Sequence, residues 1–130
     1  MEKVLLYNLA DTPMAFQLKV ILASEKIRIR SVTPEEYRQP IGYLAGLPGF
    51  SGNGTVYDGE GFSEPMLVMC GFTGRRLDRF LSKMKARRLP AIPLKAVVTS
   101  QNQHWDSLKL YEELKAEHEA MHSGSTSAEP

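Results

Sequence analysis

Cysteine is almost absent from this chain: Cys70 is the single one in 130 residues. That excludes an intrachain disulfide and any multi-cysteine zinc site. Net charge is almost absent too, at +1 from 16 basic and 15 acidic residues. Nothing in that balance draws the whole chain toward nucleic acid or an anionic membrane. No apolar run approaches the ~20 residues that span a bilayer. The opening run, Val4 to Leu6, meets polar Asn8 and Asp11 too soon for a secretory leader. A cytoplasmic protein without a membrane segment is the expectation. What is present is ordinary globular material, 42% hydrophobic and 24% charged, long enough to bury a core without crosslinks.

The apolar patterning divides the chain into two similar halves. Residues 3–9 read as a mostly buried strand, and Thr12-Pro13 as the start of a helix over about 13–25, with Thr12 placed to cap it. Residues 27–32 alternate apolar and polar, as a half-buried strand does when its arginines face water. Thr33 to Tyr37 looks like a capped turn that Pro40 and Gly42 keep short, and the glycine-rich stretch 46–63 reads as a mobile loop. Then the pattern recurs. Met66 to Cys70 is a continuous apolar run of strand length; residues 74–88 make a helix with Leu77, Phe80, Leu81 and Met84 on one face; residues 92–99 make a strand. A last helix runs from Asn102 or Asp106 to about His122, and the polar tail 123–130 is expected to be disordered.

This order, β-α-β, long loop, β-α-β, predicts an α+β fold: a ferredoxin-like split βαβ two-layer sandwich plus a C-terminal helix, as one domain over 1–122. A small parallel doubly wound α/β sheet is the alternative, since the 33–63 connection is long enough to hide a crossover.

Met66-Leu-Val-Met-Cys-Gly-Phe72, Leu94-Lys-Ala-Val-Val-Thr99, and Asn102 and Trp105 leading into Leu110-Tyr-Glu-Glu-Leu114 and Glu117-His118 carry a resemblance. From Met66 to His122 the sequence resembles an uncharacterised family of short proteins, a domain of unknown function from anaerobic Gram-positive bacteria. The resemblance implies a compact α/β unit of bacterial origin. It implies no activity and assigns no residue a role.

Three constellations carry candidate chemistry. His118-Glu119-Ala120-Met121-His122 fits H-E-x-x-H, in which two imidazoles one helical turn apart bind zinc and the Glu polarises its water. A third ligand is missing from the pattern, so His118 and His122 are weak metal candidates. Cys70 to Arg76 fits C-x5-R between a strand and a helix, where loop amides cradle an oxyanion and depress a thiol pKa. Cys70 is the weak catalytic candidate there, and Gly71, Thr73, Gly74, Arg75 and Arg76 are the candidate anion-binding residues. Third, Arg79, Lys83 and Arg87 extend a basic helix face that suits phosphates or, more simply, pairs with the acid-rich C-terminal helix.

The leading expectation is a non-enzymatic binding or regulatory module for a small molecule or a protein partner, with a homodimer as one form it takes. The alternative is an enzyme acting on a phosphate-like anion through Cys70 and the following turn. Nucleic-acid binding through residues 75–88 comes third and is not favoured. No cofactor is implied.

Overall fold

The computed structural model describes residues 2–9 and 12–127, with side chains through Ala120. Strands β1 (Lys3–Tyr7), β2 (Arg28–Ser31), β3 (Met66–Cys70) and β4 (Leu94–Val97) form a four-stranded sheet in the order β2-β1-β3-β4. Helix α1 (Pro13–Ser24) joins β1 to β2, and α3 (Gly74–Ala86) joins β3 to β4. Both joined pairs are parallel, and β1 meets β3 antiparallel with Leu5 opposite Val68. Each unit's strands are therefore direct neighbours, and the two units abut along the central pair. The α+β class and the β-α-β, connection, β-α-β layout with a C-terminal helix hold. An antiparallel centre sets the all-parallel alternative aside.

One side of the sheet is covered as the periodicity requires. Val4, Leu6, Leu67 and Met69 point to α1 and α3, where Leu18, Ile21, Leu22, Phe80 and Met84 close the first core. The helix starts differ in their chemistry. Thr73 caps α3 by accepting from the Arg76 amide at 3.2 Å. Thr12 does not cap α1; its hydroxyl donates back to the Leu9 carbonyl at 2.8 Å.

The other side is covered as well, and this is why β1 and β3 read as unbroken apolar runs. Leu5, Tyr7, Met66 and Val68 pack beneath Tyr37, Ile41, Leu44, Phe62 and Leu110. These come from the 32–65 connection, which contains a 3-10 turn (Pro34–Glu36) and the short helix α2 (Ile41–Leu44), and from α4 (Ser107–Ser127). Tyr37 stacks on Phe62 at 4.8 Å between ring centres, and Phe62 on Tyr111 at 4.1 Å. The Tyr7 and Ser107 hydroxyls meet at 2.7 Å beneath them.

The glycine-rich stretch is tied into this layer. Tyr57 donates its amide to the Glu35 carbonyl at 3.2 Å, and Asn53 donates to the Arg38 carbonyl at 2.9 Å. Gly61 has φ +69° and lies so close to the Tyr37 ring that a Cβ there would sit 2.6 Å from Cε2. Because this layer covers the sheet, the β2 arginines do not all face water as the alternation implied. Arg30 is half-buried against Tyr43 and ion-paired to Glu36. Helix α4 continues to Ser127, into the stretch read from sequence as a tail; residues 128–130 lie outside the described residues.

Candidate functional site

The basic stripe on α3 finds its carboxylates, but not on α4. Glu25, the residue that closes α1, is buried and takes Arg76 and Arg79 at 2.8 Å each, together with Lys83. Arg76 also grips Glu2 with two nitrogens, both at 2.6 Å, and donates to the Glu25 carbonyl at 2.8 Å. Hydrogen bonding from Lys83 outweighs the cost of burial and, with Arg79, holds the Glu25 carboxyl down at about 2. The Arg76 hydrogen bonds likewise hold Glu2 below its ordinary value. These cations clamp α3 to α1 and to the start of β1.

That clamp changes the reading of the Cys70-to-Arg76 turn. Gly71 takes φ +83°, a backbone that favours glycine. Thr73 already accepts the Arg76 amide, and the Arg76 guanidinium is engaged by carboxylates and a carbonyl. Gly74 and Arg75 are exposed. Arg87 closes α3 and is exposed. The turn's residues therefore do not converge with Cys70 on one open anion site.

Cys70 faces other partners. It lies opposite Lys3 across β1–β3, and Lys3 lies opposite Arg28 across β1–β2. Paired residues of neighbouring strands project to the same face, so Arg28, Lys3 and Cys70 form one row at the end of the sheet. Their face is the one covered by α2, since Lys3 shares the parity of Leu5 and Cys70 that of Val68. Beyond α2 the chain turns through Gly46 at φ +76°, with the Leu47 amide returning to the Gly42 carbonyl at 2.8 Å. Between this turn and the row lies a cavity of about 270 Å³, lined by Lys3, Arg28, Ala45, Gly46, Leu47, Pro48 and Cys70.

Its chemistry is one-sided. The lining holds two cations and no carboxylate. Neither Lys3 nor Arg28 has a carboxylate partner among the described residues. The acid nearest in sequence, Glu2, is held by Arg76 instead. Gly46 leaves room for the lysine, because a Cβ there would stand 3.3 Å from Lys3 Nζ. Burial pushes the Cys70 thiol up, against the opposing pull of the Lys3 charge. A thiol so placed stays protonated at neutral pH and makes a poor nucleophile.

Three other clefts are larger. One of about 280 Å³ at the end of α3 also holds two cations, Lys85 and Lys95, and no carboxylate, but its Lys95 donates to the Ile92 carbonyl. One of about 410 Å³ at the carboxyl ends of β1 and β2 is lined by Asn8, Thr12, Thr33 and apolar neighbours, with no charged group. One of about 500 Å³ beside Tyr57 and Tyr111 has mixed charges, and its Arg38 and Asp106 approach each other at 3.5 Å. His118 is half-buried on α4, and the His122 side chain lies outside the described residues. Among the described residues no group of three metal-ligating side chains gathers.

Lys3 and Arg28 escaped the sequence reading because nothing in their spacing links them to Cys70. Only strand register does so. Glu25 escaped it for a similar reason, although the 76/79/83 stripe signals that some acid must face it.

Residues 65–121 match the family described as Domain of unknown function (DUF3783), so this part of the chain is similar to an uncharacterised domain family. The matched segment spans β3, α3, β4 and most of α4, so it includes Cys70 but not Lys3, Arg28 or Gly46. No curated protein and no solved structure matches the chain. No helix among the described residues is long and apolar enough to cross a membrane.

Proposed function

We propose that this protein is a non-catalytic binding module for a small anionic ligand, held at the end of the sheet between Arg28, Lys3 and the Gly46 turn. The observation that carries the reading is the pair of cations without carboxylate partners lining one cavity that contains no acid. Arginine offers a planar fork to an oxyanion, and lysine adds a point charge beside it. On the face of α3 toward α1, by contrast, Glu25 takes Arg76, Arg79 and Lys83. A pair of cations left over in a cavity fits an external anion better than an internal role.

A binding role is favoured over nucleophilic catalysis because burial pushes the neighbouring thiol up. The Arg76 expected to clamp a transferred phosphate is also engaged by Glu2 and Glu25.

Ligand binding to the folded state raises the melting temperature in proportion to RT ln(1 + [L]/Kd). Melting with inorganic phosphate, against chloride at matched ionic strength, is expected to raise the Tm of the parent protein. The rise is expected to vanish in Arg28→Gln and Lys3→Gln. An equal rise in parent and variants would refute the site.

A further inference from the structure

The shape of the same cavity restricts the anion. Its charged groups lie on one side, in the sheet row Arg28–Lys3, while Ala45, Leu47 and Pro48 form an apolar wall facing them. A bare inorganic oxyanion would satisfy the cations and leave that wall in water. A nucleotide or other large phosphate ester would overfill about 270 Å³, a volume at the low end of small-molecule pockets.

We propose that the ligand is a compact organic carboxylate, its head on Arg28 and Lys3 and its short apolar stem against Ala45, Leu47 and Pro48. This rests on the reading above that the cavity takes an anion, and adds the chemistry of the part that is not charged.

The apolar wall has a measurable signature. Each methylene that leaves water on binding tightens it by about fourfold. Acetate, propionate and butyrate share one head and differ only in the stem. Their affinities are therefore expected to rise along the series, with butyrate on the order of tenfold tighter than acetate. Octanoate, whose chain outgrows the cavity, is expected to gain nothing over butyrate. Gly46→Ala crowds Lys3 Nζ, since its Cβ would stand at 3.3 Å, and is expected to weaken the whole series together rather than alter its slope.

The experiment is an amide chemical-shift titration of the full chain with acetate, propionate, butyrate, octanoate and inorganic phosphate at constant ionic strength. Shifts at Ala45, Gly46, Leu47 and Cys70 that saturate earliest with butyrate, and disappear in Arg28→Gln, support the proposal. If phosphate binds there as tightly as butyrate, or the carboxylates show no dependence on stem length, the carboxylate assignment is overturned while the anion site stands. If no anion shifts these amides, both readings fall.

Discussion

Replacing Gly61 by alanine tests whether the glycine-rich connection is a packed layer of the protein. The residue has φ +69°, and an added Cβ would meet Tyr37 Cε2 at 2.6 Å and Cδ2 at 3.0 Å. The ring cannot move aside cheaply: Tyr37 is fully buried, stacked on Phe62 at 4.8 Å and on Tyr57 at 6.0 Å. The left-handed backbone costs a non-glycine residue about 1–2 kcal/mol. Forcing a methyl into a packed core costs about 1–3 kcal/mol more. Together these lower stability by roughly 2–5 kcal/mol, which for a domain of this size lowers Tm by about 8–18 °C. Gly54 supplies the control. It has φ +71° but nothing within 4 Å of an added Cβ, so Gly54→Ala incurs the backbone term alone, about 4–7 °C. Thermal and urea unfolding of both variants, followed by circular dichroism, isolates the steric term as their difference. If the two variants melt within about 2 °C of each other, Gly61 does not sit against Tyr37, and the packed-layer account fails.

Two further outcomes follow from the charged groups. The Glu25 carboxyl is held at about 2 by Lys83 and Arg79, below an ordinary glutamate near 4.5. Its contribution to stability is therefore full above the unfolded value and is lost as pH falls from about 4.5 toward 2. Urea midpoints of Glu25→Gln are expected to lie below those of the parent at pH 7 and to converge on them near pH 2; a constant gap across that window would contradict the clamp. At Cys70, burial raises the thiol, so alkylation by neutral iodoacetamide is expected to be slower than for a free thiol at pH 8 and to keep rising with pH beyond the ordinary thiol range. A rate already level by pH 8 would show an activated thiolate and reopen the nucleophilic reading.

Local periodicity made the β-α-β units legible, because each strand and helix shows its buried positions within a few residues. Phe80 and Met84 on α3, and the unbroken run Met66 to Cys70, declare their surroundings in this way. The layer over the second face was not legible. It depends on single long-range contacts such as Asn8 Nδ2 to the Phe62 and Glu64 carbonyls, at 2.9 and 3.0 Å, and Tyr111 Oη to Glu64, at 2.8 Å. Glycines that read as punctuation are there partly for close approach: Gly61 lies against Tyr37, and Gly42 would place a Cβ 2.6 Å from the Phe50 ring. The candidate site divides in the same manner. Cys70 is marked in sequence by its position at the end of an apolar run, and the turn after it by two adjacent arginines, Arg75 and Arg76. In the fold those arginines go elsewhere. Arg76 turns to Glu2 and Glu25, while Lys3 and Arg28, remote in sequence from Cys70, reach its row through register.

The central claim is that an anion binds between Arg28 and Lys3, and amide shifts on adding inorganic phosphate at constant ionic strength test it most directly. The account predicts saturable shifts centred on Lys3, Arg28, Gly46 and Cys70, lost in a Lys3→Gln, Arg28→Gln double variant that melts cooperatively. Shifts centred instead on residues 73–76, or on Arg87 and Arg88 at the end of α3, would contradict it.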